Sequence, residues 1–226
     1  MISLQKLKKT KFYGIVQIDG KLVTVNLVPG ERVYGERLIK VKNIEYREWI
    51  PFRSKPAAAI KKGLKTFPIE KGAKILYLGI ASGTTASHFS DIIGKEGLIY
   101  GVEISEVPLR DLIPVAEKRG NIIPILADAR RPESYENLVM EKVDVVYCDI
   151  ADPQEVEILI RNCEKFLKPK GYAMIAIKSQ SINSIKSTKQ VYKECLAELE
   201  KHFEILDKVE LDPYQRDHLF VVLRAK

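Results

Sequence analysis

The strongest constraint on the fold of this sequence is a regular alternation of apolar and amphipathic segments from Lys74 onward. Five short apolar runs, typical of strands, are separated by stretches with helical periodicity. The runs are KILYLG, LIYGVEIS, IIPILAD, VDVVYCD and YAMIAIK. Strands that are apolar on both sides and alternate with helices form a parallel sheet covered on both faces. The sequence therefore predicts an α/β domain.

The remaining segments complete the predicted topology of this domain. Helices are predicted over residues 84–93, 107–119, 132–140, 153–167 and about 188–202. The last two apolar runs, FEILDKVEL and DHLFVVLRA, are joined by DPYQR with no helix between them. Because parallel neighbours need a long crossover, these two strands are expected to pair antiparallel at one side of the sheet. The prediction is a mostly parallel seven-stranded sheet with an antiparallel last strand.

The N-terminal part of the chain predicts a different unit. The β-like runs FYGIVQI and LVTVNLV flank Asp19-Gly20, a dipeptide typical of hairpins, and Pro29-Gly30 marks a second turn. We therefore predict a small antiparallel β domain over residues 1–50 and the main domain over residues 51–226. Tyr46 and Trp49 are expected to form the apolar seam between them.

Charge is distributed unevenly along the chain. Residues 1–72 carry 16 Lys/Arg against 6 Asp/Glu, and the remainder carries 21 against 24. A basic first third favours a polyanionic partner such as nucleic acid, although Lys-rich surfaces are also typical of thermophile proteins. No apolar stretch reaches membrane-spanning length, and the three cysteines lack metal-type spacing. The expectation is a cytoplasmic protein with no membrane partner and no metal.

The five predicted strands end at Gly79, Glu103, Asp128, Asp149 and Lys178, of which all except Gly79 are polar. Their separations of 24, 25, 21 and 29 residues each correspond to one strand–helix unit. A single Asp at such a position is more often a helix cap than a ligand contact. Five in series are expected to converge on the carboxyl edge of the sheet, where open α/β sheets bind ligands.

The turn GIASGTT after the first of these strands predicts close contact with a ligand. Gly79 permits a tight bend, and Ala81 keeps the surface low. Thr84 and Thr85 begin the next helix, where free N–H groups favour a carboxylate or phosphate.

Three further residues define the expected ligand. Glu103 is placed to accept hydrogen bonds from a ribose diol, and Asp128 with Ala129 to contact an adenine. A dinucleotide or S-adenosylmethionine would fit. The turn lacks the G-x-G-x-x-G fingerprint for a pyrophosphate, and the antiparallel final hairpin is the layout of adenosylmethionine-dependent methyltransferases. The methyltransferase is therefore favoured over a nicotinamide-dependent enzyme.

Six segments, in order, resemble the fibrillarin family in its short archaeal form. They are EYREWIPFRSKPAAAI, LYLGIASGTTASHFSDIIG, NIIPILADAR, DVVYCDIADPQ, GYAMIAIKSQSI and LDPYQRDHLFVV. The resemblance implies a Rossmann-like S-adenosyl-L-methionine-dependent methyltransferase that modifies ribose 2′-hydroxyls of rRNA and/or tRNA. It also implies a box C/D guide RNA, a coiled-coil scaffold protein of the Nop family and a kink-turn-binding ribosomal-type protein as partners.

The resemblance further implies which residues act. The catalytic group would be Lys55, Asp149, Lys178 and His218. The cofactor contacts carried over are Thr84, Thr85, Glu103, Ile104, Asp128, Ala129, Asp149, Ile150, Ala151, Asp152 and Gln154. Ile104 stands where the family commonly has an aromatic residue, and Pro56 where it usually has a leucine.

The chemistry of a ribose hydroxyl suggests roles for these groups. Partial burial is expected to depress the pKa of Lys178, so that the neutral amine would accept the hydroxyl proton, whereas Asp149 favours the ammonium, which would only orient the oxygen. Arg47, Arg53 and Lys55 are candidate phosphate contacts. A small-molecule methyltransferase and a non-catalytic ribonucleoprotein subunit remain alternatives.

Overall fold

The computed structural model describes residues 6–226, which form a small and a large β-sheet. The small sheet has five antiparallel strands in the order β1-β2-β3-β5-β4. Their bounds are β1 Leu7–Lys9, β2 Ile15–Ile18, β3 Lys21–Val25, β4 Leu38–Val41 and β5 Ile44–Glu48. This confirms the predicted N-terminal antiparallel sheet, and the domain boundary at residue 50 stays a prediction.

The turn between β2 and β3 has the expected chemistry. Asp19 and Gly20 both have positive φ angles, of 49° and 78°. A two-residue hairpin turn of the type that matches strand twist requires positive φ at both central residues. The hairpin predicted from Asp19-Gly20 is confirmed.

The large sheet follows a short 3-10 turn at Pro51–Arg53 and the helix α1 (Lys55–Lys61). Its seven strands are ordered β11-β12-β10-β9-β6-β7-β8. The strands are β6 Lys74–Leu78, β7 Leu98–Glu103, β8 Ile122–Leu126, β9 Val143–Cys148, β10 Leu167–Lys178, β11 Phe203–Glu210 and β12 His218–Ala225. The helices among them are α2 Thr84–Ile93, α3 Glu106–Arg119, α4 Glu155–Phe166, α5 Ser179–Ile182 and α6 Thr188–His202.

The order of the large sheet creates a crevice for a ligand. Strands β6 to β10 pair in parallel, and β12 runs antiparallel to both β10 and β11, as predicted. Strand β6 lies between β7 and β9, because the chain adds β7 and β8 on one side of β6 and then crosses back to place β9 on the other side. In open sheets ligands bind beyond the carboxyl ends of the strands at such a switch point.

The helix predicted over residues 132–140 is wrong. The segment contains two separate 3-10 turns, Pro132–Ser134 and Glu136–Leu138. Between them Tyr135 is buried, stacks on Phe166 and donates its hydroxyl hydrogen to Asn162. A segment of nine residues is too short to sustain a helix by itself against such an anchor.

Trp49 joins the two sheets, as predicted. Its indole is fully buried and stacks on His88 of α2, with ring centroids 5.0 Å apart. Tyr46 does not share this position, because it packs in a separate small cluster with residues of the N-terminal sheet, Ile18, Val23 and Ile39. The seam therefore depends on Trp49, and the prediction for Tyr46 is wrong.

Candidate active site

Four of the five residues at the predicted strand ends line one cavity of about 410 Å³ at the carboxyl edge of the large sheet. They are Gly79, Glu103, Asp128 and Asp149. The fifth, Lys178, has its Nζ 2.8 Å from Asp149 Oδ1. The remaining lining residues are Ala81, Val102, Ile104, Ala127, Ala129, Arg130, Ile150, Ala151, Asp152 and Ile158.

The turn after β6 makes room for this cavity at Gly79. Its φ is +78°, and a Cβ there would lie 2.7 Å from Ile150 Cγ2 and 3.0 Å from the carbonyl oxygen of Asp149. No other residue fits without displacing the backbone after β9. Two residues later Ala81, also at positive φ, donates its N–H to Glu103 Oε2 over 2.9 Å.

Glu103 ends β7 and has an orientation fixed by the backbone. Its Oε2 accepts the Ala81 hydrogen bond, and its Oε1 accepts one from the N–H of Ser105 over 3.0 Å. A carboxylate oxygen has capacity for more than one hydrogen bond. Both oxygens thus retain acceptor capacity for the adjacent hydroxyls of a ribose.

The lining of the cavity also combines a second carboxylate with apolar side chains. Asp128 accepts hydrogen bonds from the N–H of Arg130 and from its guanidinium Nε, at 2.9 and 3.0 Å. The hydrogen bond from Arg130 lowers the pKa of Asp128. Val102, Ile104 and Ile158 supply apolar surface to the same cavity. A flat heterocycle with an exocyclic amino group fits this combination.

Three predicted cofactor contacts lie outside the lining of the cavity, namely Thr84, Thr85 and Gln154. Thr85 is buried, and its Oγ1 lies 2.9 Å from Oγ of Ser54, the residue that precedes α1. Gln154 immediately precedes α4. Their cofactor roles stay predictions, and Thr85 instead ties the start of α2 to the start of α1.

Three charged residues meet beside the cavity and form what we call the open ion cluster: Lys55, Asp149 and Lys178. Asp149 Oδ1 lies 2.9 Å from Lys55 Nζ and 2.8 Å from Lys178 Nζ. Tyr147 donates its hydroxyl hydrogen to Asp149 Oδ2 over 3.2 Å, and Lys178 Nζ also donates to the carbonyl of Ile150. Two cations therefore share one carboxylate.

The charges of this cluster reinforce one another. Burial alone would raise the pKa of Asp149, but the ammonium groups of Lys178 and Lys55 lower it below its usual value. Burial would likewise lower the pKa of Lys178, but Asp149 outweighs that effect and raises it. The expectation of a depressed Lys178 pKa is therefore wrong, because the carboxylate lies within contact distance.

Sequence reasoning missed Glu155, the first residue of α4. Its side chain is fully buried, and Oε1 accepts a hydrogen bond from the backbone N–H of Lys178 over 2.8 Å. Within residues 6–226 its Oε2 has no hydrogen-bond partner. Burial raises the pKa of Glu155 to about 8. Acidic residues are common in the first turn of a helix, so the sequence contains no signal that distinguishes Glu155 as a functional residue.

His218 lies next to Lys178 through strand pairing. The two residues are opposite each other in the β10–β12 ladder. His218 Nδ1 lies 2.6 Å from the carbonyl oxygen of Arg216. Burial lowers the pKa of His218, and the two lysines add to that effect. A neutral imidazole beside the open ion cluster is the result.

A second group of charges occupies the junction of the two sheets and is called the closed ion cluster: Glu36, Arg47, Asp91 and Arg119. Arg47 contacts Glu36 Oε1 at 2.6 Å and Asp91 Oδ2 at 3.0 Å, and Arg119 pairs with Asp91. All four side chains are at most 2% exposed. The hypothesis that Arg47 contacts a phosphate is therefore wrong.

Between residues 6 and 226 no helix is long and apolar enough to cross a membrane. Over the same residues, no three His, Cys, Asp or Glu side chains gather as a metal site.

Comparison with known proteins gives one consistent result. The fibrillarin family model matches residues 6–226. A Pyrococcus furiosus protein named fibrillarin-like rRNA/tRNA 2′-O-methyltransferase is 53% identical over 226 residues, with 99% of each chain covered.

Two solved structures extend the comparison. Aeropyrum pernix fibrillarin, in complex with natively bound S-adenosyl-L-methionine, superposes with a TM-score of 0.90 at 47% identity, covering 99% of this chain and 100% of that one. The fibrillarin of a fibrillarin/Nop5p complex superposes with a TM-score of 0.89 at 41% identity, covering 96% and 100%.

Proposed function

This chain belongs to the fibrillarin family, and from that premise we propose that it transfers a methyl group from S-adenosyl-L-methionine to ribose 2′-hydroxyls of rRNA and/or tRNA. It is an S-adenosyl-L-methionine-dependent RNA 2′-O-methyltransferase. The observation that carries the proposal is the open ion cluster at the edge of the cavity, where Lys55 and Lys178 hold Asp149 between them.

The residues of the cavity fit the cofactor. Glu103 offers a fixed carboxylate to the ribose diol, and Asp128 with Ala129 lies where the adenine would contact backbone and carboxylate. The bend at Gly79 leaves room that a Cβ would fill. Residues 149–152 line the same cavity. When bound, S-adenosyl-L-methionine supplies an activated methyl group on a sulfonium.

The side chains of the open ion cluster would act on the ribose hydroxyl. Because the pKa of Lys178 is raised, its ammonium is the dominant form at neutral pH and orients the 2′-oxygen by donating to it. A small neutral fraction of Lys178 would accept the hydroxyl proton. Lys55 holds Asp149, and His218 lies one strand away to contact the ribose or its phosphate. General-base assistance contributes roughly 10²–10⁴-fold to such reactions.

RNA selection would come from partners. A Nop-family scaffold is supported by the fibrillarin/Nop5p complex. We further propose a box C/D guide RNA and a kink-turn-binding ribosomal-type protein, with base pairing selecting the target ribose, in the cytoplasm. The basic N-terminal third of the chain, with 16 Lys/Arg against 6 Asp/Glu in residues 1–72, favours a polyanionic substrate.

Reconstitution tests this function. The chain, a Nop-type scaffold, a kink-turn protein and a guide RNA are mixed with labelled S-adenosyl-L-methionine and a target RNA. We expect label on one 2′-oxygen, at a position that moves when the guide sequence is changed. Label that requires no guide, or that enters only small metabolites, would overturn the proposal.

A further inference from the structure

Glu155, the first residue of α4, is a buried acid to which the reaction described above gives no role. It is fully buried, and within residues 6–226 only one of its two side-chain oxygens has a hydrogen-bond partner. Acidic side chains are almost never fully buried unless a partner compensates for the lost hydration. The contacts of this glutamate therefore have to explain why it lies beside the open ion cluster.

The side chain of Glu155 replaces strand β9 as the hydrogen-bond partner at the end of β10. The ladder between β9 and β10 ends at Cys148 and Ile175, three residues before Lys178. The N–H of Lys178 instead donates to Glu155 Oε1 over 2.8 Å, while the residue remains paired with β12 on the other side of β10. Glu155 thus holds the last residue of β10 at a point that β9 does not reach.

Holding this main chain also fixes the position of the Lys178 ammonium. Its Nζ donates to the carbonyl of Ile150 over 2.6 Å and lies 2.8 Å from Asp149 Oδ1. Both acceptors follow β9, whereas Lys178 ends β10, so their distance from Nζ depends on how the two strand ends are joined. Glu155 joins them, because its own N–H donates to the carbonyl of Asp152 over 3.1 Å while its side chain binds the end of β10.

The charge of Glu155 acts on the same ammonium. The titratable groups that act on Glu155 are Lys55 of α1, Cys148 of β9, Asp149 after β9, Lys178 of β10 and Cys195 of α6. Burial outweighs the two lysines and raises the pKa of Glu155 to about 8, so the neutral acid dominates at neutral pH. An ionised Glu155 would add to the effect of Asp149 and raise the pKa of Lys178 further. The neutral acid therefore leaves the proton of Lys178 easier to release.

From this geometry we propose that Glu155 is a positioning residue of the methyl-transfer reaction: its Oε1 holds the end of β10 so that the Lys178 ammonium lies against Asp149 and reaches the ribose hydroxyl. The inference rests on the proposed RNA methyltransferase function and adds to it a residue that acts through Lys178. A merely space-filling role is disfavoured, because an apolar side chain would fill the same volume without leaving a buried oxygen unpaired.

Reconstituted particles of the full chain test this role in four forms, namely wild type, Glu155→Gln, Glu155→Leu and Glu157→Leu. Glutamine keeps the acceptor oxygen and has the shape of the neutral acid, whereas leucine removes the acceptor. Glu157 is a matched control, since it lies in the same first turn of α4 and is exposed. Single-turnover methyl transfer is measured per folded molecule at saturating S-adenosyl-L-methionine, as a function of RNA concentration and of pH.

A second measurement does not depend on methyl transfer. The ¹³Cε signal of Lys178 in the full chain, assigned by its absence from Lys178→Arg, reports the pH at which this lysine loses its proton. It is compared between wild type and Glu155→Gln.

We expect Glu155→Leu to lower the saturated rate by at least about 10-fold with an unchanged half-saturating concentration of RNA, because a displaced Lys178 no longer aligns the hydroxyl. Glu155→Gln should restore the wild-type rate at neutral pH. Above about pH 8 the wild-type acid ionises, so Glu155→Gln should become faster than wild type, by about 3- to 10-fold near pH 9. Its Lys178 should also lose its proton at lower pH. Glu157→Leu should match wild type throughout.

A Glu155→Leu particle with the wild-type rate overturns the proposal. So does a Glu155→Gln particle as slow as Glu155→Leu, because glutamine retains the acceptor oxygen. If Glu155→Leu does not fold, the other comparison decides: wild type and Glu155→Gln with coincident pH profiles and coincident Lys178 titrations overturn the proposal, and divergence above about pH 8 supports it. A wild-type particle that transfers no methyl group refutes the proposed function, while the Lys178 signal still tests the link to Glu155.

Discussion

In the closed ion cluster, two guanidinium groups face two carboxylates, whereas in the open ion cluster two ammonium groups share one. The closed cluster is shut off from solvent, and the open one borders a cavity. Arg keeps its charge and binds carboxylates in a rigid fork, while Lys can lose its proton and reorient. Similar charges therefore serve to join two sheets in one region and to act on a substrate in the other.

Substituting Lys178 tests the open cluster. Lys178→Ala should lower methyl transfer by the reconstituted particle by roughly 10²- to 10⁴-fold, because it removes the group that orients and deprotonates the hydroxyl. Single-turnover transfer of labelled methyl measures this. Lys168→Ala is the control, since Lys168 lies on the same strand and pairs with Asp144 at the surface. Equal rates in the two variants would remove Lys178 from the mechanism.

Substituting Arg47 tests the closed cluster. Arg47→Ala leaves the buried carboxylate of Glu36 without its cation and leaves Asp91 paired with Arg119 alone, so we expect the free energy of unfolding to fall by about 3–5 kcal/mol. Arg224→Ala breaks an exposed pair with Glu204 and should cost less than about 1 kcal/mol. Denaturant titration measures both. If Arg47→Ala kept its stability but lost methyl transfer, the closed ion cluster would have a catalytic role and not the structural role assigned to it.

The cavity itself is tested at Gly79. Gly79→Ala forces a methyl group against Ile150 and Asp149, so cofactor affinity should fall by roughly 10-fold. Gly20 has the same φ of +78° but open space around its Cβ position, which makes Gly20→Ala a control for backbone strain alone. Calorimetric titration with S-adenosyl-L-methionine compares them. If both variants lose affinity equally, close packing at Gly79 is not the cause.

The raised pKa of Glu155, which lies next to the open ion cluster, should make the stability of the protein depend on pH. This is the smallest of the expected effects. The native pKa of Glu155, about 8, exceeds the ordinary value of 4.5, so the folded protein holds an extra proton between these values. The corresponding stability is complete below about pH 4.5 and is lost as pH rises through about 8. The wild-type Tm should fall with pH more steeply than that of Glu155→Gln across this window. Parallel slopes would show that Glu155 is ionised in the native state.

Some features of the fold and of the site could be predicted from the sequence because they follow from local patterns. The strand ends at Glu103, Asp128 and Asp149 were predictable, because strand periodicity and a constant spacing bring them to one edge. The pairing of the last two strands followed from the short connection DPYQR.

Other features depend on contacts that distant segments make. From the sequence, Arg47 was interpreted as an exposed cation. In the structure it is buried against Asp91, which lies 44 residues away in the sequence. The pKa of Lys178 depends on Asp149 at contact distance, whereas the sequence indicates only that both end strands. Glu155 is unremarkable until packing removes it from water. Local sequence patterns therefore predict the helices, the strands and where the strands end. The charge state of a side chain cannot be predicted in this way, because it depends on residues that only the folded chain brings into contact.

The most direct test exchanges the central carboxylate of each cluster for its isosteric amide. Asp149→Asn and Asp91→Asn are compared for methyl transfer per folded molecule and for Tm. Our account predicts opposite orders of effect: Asp149→Asn loses methyl transfer with the smaller fall in Tm, while Asp91→Asn has the larger fall in Tm and keeps transfer. An active Asp149→Asn enzyme, or two variants that lose stability and activity in parallel, would contradict it.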